Sequence, residues 1–295
     1  MKNFAIRGVI PPVLTPFAEN GDPDLEAFGR LLEFLLRHVH GLYPLGTYGS
    51  GPLMPKEMRI KLGEFIVKKV DGRVPVILHI GAADTATAVD LAKAAETAGA
   101  DAVASIVPFY YRYDERCLVE HFTRILQAVK IPFYVYNNPG MGNNTITPKI
   151  LALLADRGLK GIKDSSFDIL TFYAFMRAVQ RTDFDFIIGT EALLVPAVVA
   201  GAKACVSGVA NTFPDIMRDL WDAAAKGDWG KAMDLQQKIN RIREVMHLSN
   251  SIISMHTMLR LRGIDAGVPR RPLLMPDEAT AAKIERGLKD IGVIA

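Results

Sequence analysis

Lys163 sits in the segment Leu159-Lys160-Gly161-Ile162-Lys163-Asp164-Ser165-Ser166, where a short apolar strand runs out into small polar residues. An amine at such a strand end lies at the mouth of a core. Desolvation or a nearby cation lowers the pKa of a lysine placed there, and the neutral amine can then attack a carbonyl and form an imine. The alternative is a strand-end lysine whose stem packs while its amine reaches solvent. Other segments offer complementary groups. Tyr136-Asn137-Asn138-Pro139-Gly140 brings a phenol able to transfer protons if it lies near the lysine. Gly46-Thr47-Tyr48-Gly49-Ser50-Gly51 sets glycines around a hydroxyl, a pattern that lets backbone N–H groups approach a carboxylate, or one that simply makes a tight turn. Pro108-Phe109-Tyr110-Tyr111-Arg112-Tyr113 reads either as an aromatic packing cluster or as a subunit contact.

These groups need elements to position them. Apolar, β-branched runs recur at Gly8–Phe17, Gly41–Gly49, Val74–Gly81, Asp101–Pro108, Pro132–Pro139, Leu159–Ser166, Asp185–Glu191 and Lys203–Asn211. Amphipathic stretches such as Asp24–His40, Asp84–Ala98, Glu115–Val129 and Ile169–Val179 separate them, with apolar residues at helical spacing. Strand followed by helix, repeated, implies a parallel sheet. Eight such units, at a repeat of roughly 25 to 33 residues, predict an α/β fold of the (β/α)8 TIM-barrel type. A doubly wound sheet would usually carry a phosphate fingerprint, and no G-x-G-x-x-G or Walker sequence opens a helix. Past Asn211 the pattern turns helical, at Pro214–Ala225, Trp229–Leu248, Ser249–Leu261 and Glu278–Ile291. The expected organisation is a barrel over 1–212 and a C-terminal helical extension over 213–295 packed on it. In such a barrel the C-terminal strand ends carry the chemistry, and Lys163, Tyr136, Tyr110 and Thr47 all fall at predicted strand ends.

Composition excludes some classes. A net charge of +3 over 295 residues, with no basic face, argues against a nucleic-acid partner. The N-terminus enters strand-like sequence without a signal peptide's apolar segment, and no apolar run reaches about 18 residues, so a cytoplasmic protein without a membrane partner is expected. Cys117 and Cys205 have no motif spacing and read as buried thiols rather than a disulfide. His38 and His40 diverge on a helix, and Cys117 with His121 lacks a third ligand, so no metal site is expected. Asn143-Asn144-Thr145 matches a glycosylation sequon by chance.

Gly-Thr-x-Gly at 46, Pro-Phe-Tyr-Tyr at 108, Tyr-Asn-x-Pro at 136, Gly-Ile-Lys-Asp at 161 and Gly-Val-Ala-Asn at 208 occur in the family order of the N-acetylneuraminate lyase and dihydrodipicolinate synthase superfamily. The chain resembles these pyruvate-dependent class I aldolases over nearly its whole length. The resemblance implies that Lys163 forms the imine with a 2-oxo acid and that Tyr136 is the general acid and base. It implies that Thr47 links Tyr136 to a Tyr110 supplied by a neighbouring subunit, and that the Thr47 and Tyr48 amides hold the pyruvate carboxylate. Gly189 and Val206 would line the pocket near the imine, with Asn138, Thr190, Glu191 and Ser207 as further substrate contacts. It also implies no cofactor, and a homotetramer built as a dimer of dimers. Asp164, one residue past the lysine on a strand, points to the opposite face and takes a structural role.

Three positions depart from the family pattern. Met141 stands where the synthases place an arginine that binds the second substrate's carboxylate, which forfeits about 2 to 3 kcal/mol of charge-assisted binding and argues against aspartate semialdehyde. Tyr48 replaces a small hydroxyl residue and Ser50 a glutamate. Glu191 would repel an anionic partner and accept bonds from hydroxyls, so a hydroxylated, uncharged distal group is expected. The expected function is a Schiff-base lyase that makes or cleaves a 2-oxo acid, sugar-acid-like, from pyruvate and an aldehyde. The alternatives are a 2-oxo-3-deoxy sugar acid dehydratase, a dihydrodipicolinate synthase and a non-catalytic 2-oxo acid sensor.

Overall fold

The computed structural model describes residues 6–295, so Met1–Ala5, where the leaderless N-terminal reading begins, lie outside the described residues. Among the described residues seven strands form one sheet: β1 (Gly8–Ile10), β2 (Ile77–His79), β3 (Ala102–Ile106), β4 (Phe133–Asn137), β5 (Gly161–Asp164), β6 (Asp185–Ile188) and β7 (Ala204–Val206). Their order is β1-β7-β6-β5-β4-β3-β2, and every pairing is parallel. Helices fill the crossovers: α1 (Leu25–Leu36), α2 (Lys56–Val70), α3 (Thr85–Thr97), α4 (Glu115–Ala128), α5 (Pro139–Gly142), α6 (Pro148–Ala155), α7 (Ile169–Ala178) and α8 (Leu194–Ala200). After β7 come α9 (Pro214–Lys226), α10 (Trp229–Met246), α11 (Ser251–Leu261) and α12 (Glu278–Ile291). Asp84, Asp114 and Asp168 start their helices by accepting a backbone N–H of the first turn, satisfying donors that have no partner within the helix. Among the described residues no helix is long and apolar enough to cross a membrane.

The strand expected over Gly41–Gly49 is absent. Leu42 makes a single parallel bridge to Val76, and Pro44 followed by Leu45 at φ 62° then ends the extended run. Proline has no N–H for a ladder, and a left-handed leucine breaks the pleat. The backbone of this segment nevertheless bonds to both sheet edges. Tyr43 N donates to Pro11 O (3.0 Å) and Val13 N to Tyr43 O (3.2 Å), while Leu42 N donates to Pro75 O and Ile77 N to Leu42 O (both 2.9 Å).

Alternation along the strands divides the core in two. Val9, Leu78, Val103, Val135, Ile162, Ile188 and Cys205 pack outward against the helices. Ile10, Ile77, Ala102, Ala104, Tyr134, Ile187, Ala204 and Val206 join Ile6 and Tyr43 in a smaller cluster on the inner face. Two tyrosines fit there because their neighbours are small. Gly161 is held to glycine by the Tyr134 ring, since a Cβ would come within 2.7 Å of it and 2.3 Å of Asp185 O. The Tyr134 hydroxyl donates to Asp185 Oδ2 at 2.7 Å.

Two sequence readings need correction. Cys117 is exposed rather than buried, because it precedes the α4 stripe of Leu118, His121, Phe122 and Ile125 by one residue; Cys205 is buried, and both thiols are free. His38 and His40 lie beyond the end of α1, not on it, and His40 Nδ1 accepts from Val9 N at 3.1 Å.

Gly161→Ala should destabilise the protein by about 1 to 3 kcal/mol, the usual cost of forcing an extra carbon into a filled core. Denaturant unfolding of the two proteins checks this.

Candidate active site

At the inner face, Ile106, Tyr136, Lys163 and Ile187 align across β3, β4, β5 and β6 in the strand register. The lysine amine is therefore carried to the C-terminal rim of the sheet beside the phenol. Its Nζ sits 3.6 Å from the centroid of the Tyr136 ring and 4.6 Å from that of Tyr43. Lys163 is only 4 % exposed. Burial depresses its pKa, although Tyr136 opposes the shift. The phenol of Tyr136 accepts from Asn138 Nδ2 at 2.7 Å. Burial alone would raise the Tyr136 pKa; the charge of Lys163 and bonds from the Asn138, Ser165 and Thr47 side chains outweigh it, so the net direction is downward. Tyr43 and His79 pack edge-on against the phenol ring, at 6.3 and 6.1 Å. His79 is held neutral by burial and by the neighbouring Arg59 and Lys163 charges, and its Nε2 accepts from Ile106 N at 3.2 Å.

Lys163 opens into a cavity of about 410 Å³. Of the residues expected at the site, Thr47, Tyr48, Tyr136, Asn138, Lys163, Gly189, Thr190, Glu191 and Val206 line it. Grooves of about 500 and 540 Å³ lie on the outer helices, one against α2 and α3 and one against α1 and α2, and neither contains Lys163. The Gly46–Gly51 turn is tight: a Cβ at Gly51 would fall 1.9 Å from Leu45 O, and Ser50 adopts φ 55°. Within it the Thr47 and Tyr48 N–H groups donate to no acceptor among the described residues, which leaves them open to an anion. Ser50 is buried and does not line the cavity.

Tyr110 is not brought to Tyr136 within the chain. It is 79 % exposed at φ 85°, with its ring edge-on to Tyr111 at 5.0 Å. Asn144 fixes this loop by donating to Pro108 O (2.8 Å) and Tyr111 O (2.7 Å) while accepting from Tyr113 N (2.8 Å). Ser207 lies behind the cavity wall, where its Oγ donates to Glu191 Oε2 at 2.8 Å. Asp164 faces away from the lysine and accepts from Asn137 Nδ2 and Ser166 Oγ, both at 2.7 Å. Asn137 Oδ1 in turn accepts from Ile146 N at 3.1 Å, so this buried carboxylate ties the rim loops together.

The sequence reading missed the wall made by α10 and the loop into α11. Arg243, His247, Ser249, Asn250, Ser251 and Ile252 line the cavity, as do Phe167 and Met141. Arg243 Nε lies 3.2 Å from Glu191 Oε1, and its guanidinium stands 5.4 Å from the Phe167 ring. Glu191 is thus a paired carboxylate, not the free one from which repulsion of anions was expected. Tyr48 packs on Gly208, where a Cβ would reach its hydroxyl at 2.9 Å. Burial and the Glu191 charge raise its pKa, with the Ser251 hydroxyl bonding the phenol. The large side chain at 48 therefore narrows the β7 side of the cavity. Among the described residues no three metal-binding side chains converge.

Known proteins share this architecture. An Escherichia coli K12 prophage protein, YagE, of the dihydrodipicolinic acid synthase family and solved with pyruvate, superposes with a TM-score of 0.94 at 26 % identity, covering 97 % of this chain and 99 % of its own. Dihydrodipicolinate synthase DapA-2 of Bacillus anthracis gives 0.93 at 28 % identity, over 97 % and 98 %. An uncharacterised DapA-like lyase of Halobacterium salinarum is 34 % identical over 99 % of this chain and 96 % of its own. A 4-hydroxy-tetrahydrodipicolinate synthase of Archaeoglobus fulgidus is 30 % identical over 98 % and 99 %. Residues 5–291 match the family described as the Dihydrodipicolinate synthetase family. With the sheet, the cavity and these relatives in agreement, the chain belongs to that family and is a lyase that acts through a lysine imine.

Proposed function

We propose that Lys163 is the imine-forming lysine, Tyr136 its proton-transfer partner, and the reaction the making or breaking of a carbon–carbon bond between pyruvate and an aldehyde. The observation that carries this reading is the buried Lys163 amine 3.6 Å from the ring of a phenol whose oxygen is held by Asn138. YagE, solved with pyruvate, supports the choice of a 2-oxo acid.

Neutral Lys163 attacks the ketone, and loss of water leaves a protonated imine. Tyr136 supplies and retrieves the protons of this condensation. The carboxylate takes the open Thr47 and Tyr48 N–H groups. The imine then withdraws electrons as the bond beta to it breaks, while Tyr136, as phenolate, accepts the proton of the hydroxyl that becomes the aldehyde. Protonation of the enamine and hydrolysis release pyruvate and restore the amine. Elimination of water from a 2-oxo-3-deoxy sugar acid uses the same enamine. A product panel on such acids separates the two outcomes.

The fold proposed to carry this chemistry is a closed (β/α)8 barrel over 1–212, with 213–295 as an extension forming one cavity wall. Its support is the four backbone bonds by which Leu42 and Tyr43 join Pro11 and Val13 at one sheet edge to Pro75 and Ile77 at the other. The proposed active form is a dimer or a dimer of dimers, in which the exposed Tyr110 of one subunit completes the Tyr136 and Thr47 relay of another.

Pyruvate with borohydride should leave one pyruvate-sized adduct on Lys163, read by mass spectrometry, and none on Lys163→Met. Because burial lowers the amine's pKa, trapping should reach its plateau below the pH at which an exposed lysine loses its proton. Tyr136→Phe should fold normally and lose about 10²- to 10⁴-fold in turnover, the range for removing a positioned proton-transfer group. Sedimentation at assay concentration should show a dimer or larger; a fully active monomer would sink the role of Tyr110.

A further inference from the structure

The cavity has a charged end that the reaction steps above leave idle. Arg243 comes from α10, and its Nε faces Glu191 Oε1 at 3.2 Å while the Phe167 ring lies 5.4 Å from the guanidinium carbon. Glu191 is itself buried and pinned by Ser207 at 2.8 Å. Further along, Gln236 Nε2 donates to Glu191 O at 2.8 Å, so the acidic residue is held through its backbone as well. Glu191 is thereby fixed, and the ion pair and the Phe167 ring keep the guanidinium at this end of the cavity. Its two terminal nitrogens donate to no acceptor among the described residues, and Arg243 lines the same cavity as Lys163.

We infer that Arg243 is a specificity residue for the far end of the substrate, and that the substrate is a 2-oxo acid with a carboxylate at that end, as in an oxidised sugar acid. This rests on the lysine reading above. A guanidinium that pairs with Glu191 by charge alone keeps its planar N–H donors for a ligand, and two of them match a carboxylate edge. Met141 leaves the other side of the cavity without charge, and among the described residues Arg243 is the one guanidinium that lines it. Charge favours a carboxylate over a phosphate. Glu191 offsets the single positive charge of Arg243, so the guanidinium recruits a ligand through its donors rather than through net charge, and a dianion would be worse compensated than a monoanion. Both Glu191 oxygens being engaged also makes it a poor acceptor for substrate hydroxyls.

Borohydride trapping gives a test that needs no turnover. The wild-type enzyme is titrated with pyruvate, 2-oxoadipate, 2-oxohexanoate and 2-oxo-5-phosphonopentanoate, and adduct is counted by mass spectrometry. Half-saturation by 2-oxoadipate should fall about 10- to 100-fold below that of 2-oxohexanoate, the range expected for a charge-assisted pair. In Arg243→Gln that preference should shrink to near unity. Since this variant leaves Glu191 buried without its partner, the double variant Glu191→Gln/Arg243→Gln, which removes both charges, is measured beside it and should also lack the preference. Equal half-saturation in the wild type, or a preference that survives in the double variant, overturns the inference. Tighter capture of the phosphonate than of 2-oxoadipate overturns the choice of carboxylate. Absence of any pyruvate adduct on the wild-type enzyme sinks the lysine reading instead.

Discussion

Dehydration of one amine is the constraint around which this protein is arranged. A lone ammonium buried among aromatic rings would carry a large desolvation cost, and the amine would rather lose its proton. The structure supplies a second group that can take that proton. Amine with phenol and ammonium with phenolate carry the same total charge, so Lys163 and Tyr136 can exchange a proton without adding charge to the core. Asn138, Ser165 and Thr47 stabilise the phenolate form, while burial favours the neutral amine. His79, adjacent to both rings, is kept from competing for the proton because burial and the Arg59 charge hold it neutral. Arg59 is placed there by donating to the carbonyls of Gly81 and His79.

Such a pair works only if two strands hold their register. Parallel pairing sets Tyr136 opposite Lys163, and the next residues along, Asn137 and Asp164, then lie opposite each other on the outer side. Their 2.7 Å bond, extended to Ser166 and Ile146, locks the rim at the level of the reacting groups. A slip of one residue would invert every side chain in β5, moving the amine outward and a carboxylate inward. Below that level Tyr134 fills the inner face, with Gly161, Ala102 and Ala204 making room for it. The layer of Lys163 and Tyr136 thus rests on a layer chosen for volume.

Most of this was legible in the chain because Lys163 and Tyr136, the groups proposed to react, lie at the ends of short apolar runs. Gly-Ile-Lys-Asp and Tyr-Asn-Asn-Pro each show their strand, its end and their chemistry within a few residues. The segment after Gly41 misled because its apolar composition suits a strand while Pro44 and Leu45 bend the chain. Helices α2, α6 and α8 fill intervals where the sequence reading named no helix. Lys56–Val70 mixes charges into its apolar face and shows little helical contrast. Arg243 had no local signal of its own. The clue available was its place on α10 beside the buried stripe of Ile239, Ile242 and Met246, which directs it toward whatever α10 covers. Only the fold reveals that α10 covers Glu191. Glu191 was therefore misread as a free charge, because its partner lies in the helical region after β7.

The two ends of the cavity have separate structural origins. The end proposed to react is built from β4, β5 and the glycine turn, and is fixed by strand register and inner-face packing. The far end is built from Glu191, Phe167 and the α10 wall, which lie off the strands that set the height of the lysine, although the Glu191 charge still reaches the amine. Changes at Met141, Tyr48 or Arg243 can alter which partner enters while leaving the proton pair in place. For the same reason, the names carried by relatives at about 30 % identity inform the chemistry here more than the substrate. In the proposal made above the partner is selected on the α10 side, where a guanidinium paired by charge with a buried carboxylate keeps its donors for the ligand.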